Sequence, residues 1–466
     1  MLTKDRKIVI SLFCGIGGFD LGFEAAGFEI AVAIDNDPKV LSLYQNNFPN
    51  TITLCRDIGS LSASEIKEII TRKYQDWDGE IAAVIGGPPC QGFSVAGKQN
   101  LDDERSQLIL KFIKLVVELN PSMFVMENVP AIESKKFSHI TGNAVALAQE
   151  HYTISKWLLT ASDYGVPQKR QRAIWVGCSE NVSLNQKRYE YQTNILDELA
   201  IPDKSNQKFT VKDAISDLSN IPINSQTDVW EINHKGEYAR YLEDVFHSQS
   251  ERQKSSSNIS GLRATVHKVE TQQKYAATIP GEKEPTTWCY KLTEEGFSPT
   301  LRAGSGNRTA ARPIHYQQPR VITVREAARL HSYPDWFEFG ESKLAAHKAI
   351  GNSVPPLLAY AIAQTLIPYI EQNHTEVDLS SLRDATRIAM VRSKRSKAIA
   401  ISSIKVQKVI REKIKTQLNK YLYLQCLHPF STEIIEKCCS KTYLLPTSKI
   451  INNRAPPKSK IINNDI

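Results

Sequence analysis

Over the first 180 positions, short apolar runs alternate with stretches of helical spacing. Lys7–Leu12 predicts a strand, followed by the glycine-rich Cys14-Gly15-Ile16-Gly17-Gly18. Phe19, Phe23 and Ala26 then fall on one helix face, and Gly27 supplies a C-cap. Glu29–Ile34 predicts a second strand. Asp37 before Pro38 is an N-cap followed by a first-turn proline, which opens a second helix. Thr51–Cys55 predicts a third strand, and Ser62 with Glu65 forms a capping box ahead of Ile66, Ile69 and Ile70. Ile81–Ile85 is short and wholly apolar, as a parallel strand buried on both faces should be. Helical spacing returns over Arg105–Leu119 and stops at Pro121; Met123–Met126 and Ala173–Gly177 predict further strands. Such alternation implies an α/β fold with a doubly wound, mostly parallel sheet.

The pattern then changes. Residues 179–320 are rich in Asn, Ser, Gln and Thr, with short strand-like pieces and no strong helical period. They predict a smaller, irregular second domain. Helix returns at Thr323–His331 and again after Gly351-Asn352-Ser353-Val354-Pro355-Pro356. From residue 376 basic and β-branched residues alternate. Lys405–Tyr421 has the pattern of an amphipathic basic helix, and the rest of this extension reads as poorly ordered. The expected division is 1–178, 179–335, C-terminal helices at 336–375 that return to the first domain, and a basic extension at 376–466.

Composition narrows the picture. The 466 residues are 41% hydrophobic and 23% charged, which suits a soluble protein of two or three domains. No apolar run reaches the roughly 18 residues of a membrane span, so no membrane partner is expected. Lys4, Arg6 and Lys7 before Ile8–Phe13 loosely resemble a secretory signal, but that stretch runs on into a strand–loop–helix unit. The expected location is the cytoplasm. Eight scattered cysteines form no compact framework and favour a reducing compartment. With no Cys-x-x-Cys and no His pair at ligand spacing, no metal is expected. The net charge of +8 divides unevenly: residues 383–466 carry +13 and the rest −5. A basic tail on an acidic body suits an arm for nucleic acid or another polyanion, or a solvated extension.

Three segments carry chemistry. The glycine loop between the first strand and helix, with Asp35 at 20 residues after Gly15, is an arrangement for a nucleoside cofactor. By itself it does not separate NAD from S-adenosylmethionine. Asp57 closes the third strand, where an acid can accept from an adenine amine or cap a helix. Gly86-Gly87-Pro88-Pro89-Cys90-Gln91-Gly92-Phe93-Ser94 follows the fourth strand and displays a cysteine at a strand end. Glu127-Asn128-Val129 follows the fifth strand, so Cys90 and Glu127 share a crevice if the two strands are neighbours. A thiolate beside a carboxylic acid suits covalent catalysis with proton donation. In Gln168-Lys169-Arg170-Gln171-Arg172 the two arginines share a face if the run is extended. They suit a phosphate or carbonyl oxygen, or a solvated edge.

Together and in this order, these motifs resemble those of DNA cytosine-5 methyltransferases. The likeness covers residues 8–178 and 298–370, including Thr323-Val324-Arg325-Glu326-Ala327-Ala328-Arg329-Leu330 and Gly351-Asn352-Ser353-Val354. The resemblance implies a Rossmann-like methyltransferase fold that uses S-adenosylmethionine. It implies Cys90 as nucleophile on carbon 6 of a flipped cytosine, Glu127 at ring nitrogen 3, and Arg172 with Arg170 near the base carbonyl. Phe13, Gly15, Gly17, Gly18, Asp35, Asp57, Ile58 and Asn352 are the expected cofactor contacts. Residues 179–320 become the target-recognition region, with Thr300 and Leu301 near its end. Ala349 departs from the family, whose members often carry glutamine before the Gly-Asn motif. Expected partners are double-stranded DNA and a separately acting restriction endonuclease, with the enzyme itself a monomer. A tRNA cytosine methyltransferase, an NAD oxidoreductase and a DNA-binding protein without catalysis are the rival readings. The Pro-Cys-Gln and Glu-Asn-Val segments argue against the last two, and the long recognition region against the first.

Overall fold

The chain builds a seven-stranded sheet first and then returns to cover it. In order it forms β1 (Ile8–Leu12), α1 (Gly18–Ala25), β2 (Glu29–Asp35), α2 (Pro38–Asn47), β3 (Ile52–Cys55), α3 (Ala63–Lys73) and β4 (Ala83–Gly86). Next come α4 (Leu108–Leu119), β5 (Met123–Asn128), α5 (Ser138–Gln149), β6 (Tyr152–Thr160), β7 (Gln168–Lys169) and β8 (Gln171–Ser179). The computed structural model describes residues 6–89, 107–179, 199–246, 258–302 and 311–371. The sheet order is β3-β2-β1-β4-β5-β8-β6. The strands from β3 to β5 pair in parallel, and β8 runs antiparallel to both of its neighbours. The chain winds outward through β2 and β3, then crosses back to β4 on the other side of β1. The loops after β1 and β4 therefore open at the point where the winding reverses, which is where such sheets bind ligands.

Side chains alternate across the sheet. Val9, Ala83, Ile85, Met123 and Val125 face one core, shared with Phe19 and Phe23 of α1. Ile10, Leu12, Val84, Phe124 and Met126 face the other, shared with Ile66 of α3, Phe112 of α4 and Ala148 of α5. Burial of a side chain such as Phe112, fully enclosed here, contributes about 2–3 kcal/mol. The helix starts follow the sequence: the Asp37 carboxylate accepts from the amides of Lys39 and Val40, and the Ser62 hydroxyl from that of Glu65.

Beyond residue 199 the elements are short. They are α6 (Val211–Ile215), β9 (Trp230–Glu231), α7 (Glu237–Val245), β10 (Asn258–Ile259), α8 (Val269–Ala277), β11 (Ser298–Pro299), α9 (Val324–Leu330), α10 (Lys343–Asn352) and α11 (Pro356–Glu371). Buried guanidiniums do much of the joining. Arg329 pairs with Asp217 and Asp335, Arg320 with Glu326, and Arg325 donates to the carbonyls of Ser260, Pro334 and Phe337. α11 lies on α1. A Cβ on Gly22 would come within 2.5 Å of the Ala359 Cβ and the Tyr360 amide, so glycine there lets the two helices touch. The stretch Lys343–Ile370 is apolar enough to cross a membrane by length and composition. Here it is interrupted between α10 and α11, and Leu358, Ile362 and Leu366 are fully buried in the core.

Several elements differ from expectation. The region expected to lack helical period contains α7 and α8. The helix α7 does carry an apolar face at Tyr238, Ala239, Tyr241, Leu242 and Val245, but over nine residues only, within a polar stretch read as irregular. The spacing does not announce α5, β6 or α10 either. The strand β6 alternates buried and exposed positions at the sheet edge, while α5 carries Gly142 and Asn143 within its polar–apolar mixture. Cys90, residues 105–106 of the fourth helix and the basic extension 376–466 with its helix pattern lie outside the described residues.

Candidate active site

The loop after β1 is shaped by backbone geometry. Phe13, Gly15 and Gly17 all have positive φ, at 54°, 57° and 87°. The Gly15 amide donates to Asp35 Oδ2 at 3.1 Å, and the Asp37 amide to Asp35 Oδ1 at 3.0 Å. Asp35 at the end of β2 thus braces the glycine loop, and each carboxylate oxygen keeps acceptor capacity. The glycines do not do the same job. A Cβ on Gly15 would meet nothing within 4 Å, so the backbone there faces open space. A Cβ on Gly17 would lie 2.2 Å from the Phe48 ring, and one on Gly18 2.4 Å from the Tyr333 hydroxyl and the Val354 carbonyl. Those two glycines admit protein. Asp57 caps the single turn Ile58–Ser60 through the Gly59 amide at 2.7 Å, and Ile58 itself is buried in the core. Under the loop, Asp20 is fully buried and accepts from the Tyr44 hydroxyl at 3.1 Å. Burial pushes its carboxyl up to about 6.

The loop after β4 opens beside this one. Its first residues are held from β5: Asn128 Nδ2 donates to the Pro88 carbonyl at 3.1 Å, in a buried bond. Glu127, the preceding residue, is 8% exposed. It faces Ile174 across the antiparallel pairing with β8, which places Arg172 on the diagonal. Arg172 Nε lies 2.6 Å from Glu127 Oε1. The other oxygen, Oε2, lies over Gly87, where a Cβ would stand 3.1 Å away. Glycine at 87 therefore keeps clear the space beside the carboxylate. Cys90, two residues beyond Pro88, lies outside the described residues.

The run Gln168–Arg172 is not one extended strand. It breaks at Arg170, between β7 and β8, and the two arginines serve different partners. Arg170 is buried and donates to the carbonyls of Leu301 at 3.3 Å and Ser353 at 2.9 Å. Thr300 Oγ1 donates to the Lys169 carbonyl at 2.8 Å, and the Leu301 amide to Gln168 Oε1 at 3.1 Å, next to the pairing of β11 with β7. Thr300 and Leu301 are thus fastened to the strand that leads to Arg172.

Sequence reasoning missed two members of this knot, His331 and Ser353. His331 Nε2 lies 3.0 Å from the Ser353 carbonyl, which only accepts, so Nε2 carries the proton. Nδ1 then accepts from Gln168 Nε2 at 2.9 Å, which also donates to the Leu330 carbonyl. Burial holds the imidazole far below its usual range, so it is neutral, as these bonds require. No spacing rule links residues 163 or 183 positions apart; the sole signal was that Ser353 lies within the Gly351–Val354 motif and His331 directly follows Thr323–Leu330. Asn352 is exposed at the last position of α10, and it is the backbone of the next residue that reaches Arg170 and His331.

The comparisons agree with this geometry. The family model described as C-5 cytosine-specific DNA methylase matches residues 8–368. The type II methyltransferase M.XorII of Xanthomonas oryzae pv. oryzae is 38% identical over 375 residues, covering 77% of this chain and 84% of its own length. M1.HphI of Haemophilus parahaemolyticus, also a type II methyltransferase, is 32% identical over 369 residues, covering 77% of this chain and 86% of its own length. Among solved structures, a prophage-encoded DNA modification methyltransferase of E. coli aligns with a TM-score of 0.65 and 35% identity, covering 78% of this chain and 99% of its own. The chain belongs to the C-5 cytosine-specific DNA methylase family and is a DNA cytosine-5 methyltransferase.

Proposed function

We propose that the enzyme moves a methyl group from S-adenosylmethionine to carbon 5 of a flipped cytosine in one specific double-stranded DNA sequence, through an adduct on Cys90. The observation that carries this reading is the Glu127–Arg172 pair at 2.6 Å, at the end of β5, with Asn128 fastening the Pro88 carbonyl just ahead of Cys90. Unmodified carbon 5 of cytosine is a poor nucleophile. Attack of the Cys90 thiolate on carbon 6 makes carbon 5 an enamine carbon. Glu127 shares a proton with ring nitrogen 3 and takes up the charge that builds there, while Arg172 contacts the base carbonyl and aligns the carboxylate. After transfer, loss of the carbon 5 proton restores the double bond and expels the thiolate. None of this is reachable in a paired duplex, so the base leaves the stack.

The residues around the first loop fit S-adenosylmethionine. Gly15 faces open space, Phe13 stands half-buried beside it, and Asp35 keeps lone pairs for ribose hydroxyls. Asp57 remains largely exposed for an adenine amine. The cofactor, when bound, supplies the electrophilic methyl group. Gly17 and Gly18 let protein close in behind the loop, and Ile58 and Asn352 are further cofactor contacts in this reading. In the same reading, residues 179–335 recognise the DNA word, the basic residues of 376–466 hold phosphates, and the monomeric enzyme protects DNA in the cytoplasm from a separate endonuclease. The test is transfer of tritium from labelled cofactor to plasmid DNA, followed by bisulfite sequencing. Wild-type protein should mark cytosines in one word. Cys90→Ser should bind cofactor yet transfer nothing, and substantial transfer by that variant would refute the adduct.

A further inference from the structure

Between β7, β11 and α10 lies a cavity of about 480 Å³ whose chemistry is one-sided. Among the described residues, Lys169, Lys283, Arg302 and Arg312 line it, and no carboxylate does. Among the described residues, Lys169, Lys283 and Arg312 have no acidic partner. At its wall His347 is 5% exposed, and its Nε2 has no hydrogen-bond partner among the described residues. A buried polar atom beside a cavity, left without a partner, is costly unless a ligand supplies one.

The rim carries a second signal. Trp288 is 46% exposed and holds φ at +62°, a backbone region that a bulky residue enters only under strain. The turn around it is firmly built. Lys283 bridges Tyr290 across the hairpin, and the Trp288 amide donates to the Glu284 carbonyl at 2.7 Å. The buried Glu284 carboxylate accepts from the Thr286 amide at 3.1 Å. Lys283 Nζ sits 5.5 Å from the centre of the indole. The chain thus holds a large aromatic face in water at the mouth of a cationic cavity, against both solvation and backbone preference.

We infer that Trp288 and the cavity below it form a nucleotide subsite for the bound DNA, in which the indole stacks on a base and Lys169, Lys283, Arg302 and Arg312 hold the adjoining phosphate. This inference rests on the enzyme's proposed reading of double-stranded DNA. It assigns to Trp288 a part in the choice of sequence, with His347 offering its ring nitrogen to the edge of the stacked nucleotide. Stacking on an aromatic face tolerates any base, so selectivity comes from the edge contact and from the ease of unstacking that step.

The experiment uses the full chain and a duplex bearing the word found by bisulfite sequencing. Glycine adopts φ +62° without strain, so Trp288→Gly should keep the wild-type melting temperature or raise it. Its KM for DNA should rise about tenfold, the loss of one stacked base, with the KM for S-adenosylmethionine unchanged. Titrating wild-type protein with the duplex, without cofactor, should quench fluorescence, and Trp288→Phe should lose that part of the quenching. A Trp288→Gly enzyme with wild-type KM for DNA and an unaltered methylated word would overturn the inference, as would equal quenching in Trp288→Phe. The quenching needs no turnover. Trp288-dependent quenching without methyl transfer would therefore sink the proposed chemistry and leave the subsite standing.

Discussion

The two halves of this molecule are held together by opposite means. In the sheet, strands from β3 to β5 satisfy their own backbone groups and bury apolar faces on both sides, and charges sit at strand ends. In residues 199–335 regular pairing is scarce, and buried guanidiniums take its place. Arg329 bridges Asp217 and Asp335 and also donates to the Ala214 carbonyl at 3.1 Å, while Arg325 gathers three backbone carbonyls. Each such arginine satisfies acceptors that a strand or helix would otherwise satisfy. Irregular backbone of this kind can carry variable loops, at the cost of depending on a few ion pairs.

The sharpest way to break that contrast is at Arg329. Arg329→Ala leaves Asp217 and Asp335 without their cation and should cost about 3–5 kcal/mol, read as a lower denaturation midpoint. Equal losses from an exposed pair such as Arg72–Glu68 would show that burial is irrelevant. On the sheet side, Gly22→Ala should cost about 1–3 kcal/mol, because the new methyl group forces α11 away from α1. An unchanged midpoint would mean that the two helices separate freely. Asp35→Ala removes both the brace on Gly15 and the ribose acceptor, and calorimetry should find cofactor affinity weaker by about 1.5–3 kcal/mol.

Acid acts on the buried groups with opposite signs. Burial lowers His315 to about 4 and His347 to about 3, so between those values and about 6.5 the unfolded chain binds the extra protons. Stability from these groups is full above about pH 6.5 and is lost as pH falls through that window. Glu326 acts in the same sense at lower pH. Its burial raises the carboxyl, but Arg320 outweighs this and holds it at about 2, so its contribution is lost below about 4.5. Asp20 of α1, packed beside the sheet, is the reverse: raised by burial to about 6, it favours the folded state below about 4 and loses that contribution as pH rises through 6. Both groups titrate between about pH 4 and 6.5 with opposite slopes, so Asp20→Asn should steepen the rise of stability with pH across that window, and His315→Gln should flatten it. Equal profiles in both variants would remove these groups as its cause.

The same division governs how much was legible beforehand. Strands such as Ile8–Leu12 and helices opened by Asp37 or Ser62 announce themselves because their signals are local: a run of apolar residues, a cap, a glycine. The neighbourhood of Glu127 and the loop beginning at Gly87 was readable for the same reason, since parallel order brings consecutive strand ends together. The knot of Gln168, Arg170, His331 and Ser353 was not, because its bonds join distant segments through side chains and single carbonyls. Nor was the division of labour among glycines: Gly15 for open space, Gly17 and Gly18 for Phe48 and Tyr333.

The central claim is covalent chemistry at the crevice between β4 and β5, and one denaturing gel tests it. Duplex DNA synthesised with 5-fluorocytosine in place of cytosine is incubated with the enzyme and S-adenosylmethionine. After methyl transfer, carbon 5 carries fluorine where a proton must leave, so elimination stalls with the cysteine attached. The account predicts a protein–DNA band that survives denaturation, depends on cofactor and disappears in Cys90→Ser. A preparation that methylates ordinary DNA but yields no such band would contradict it.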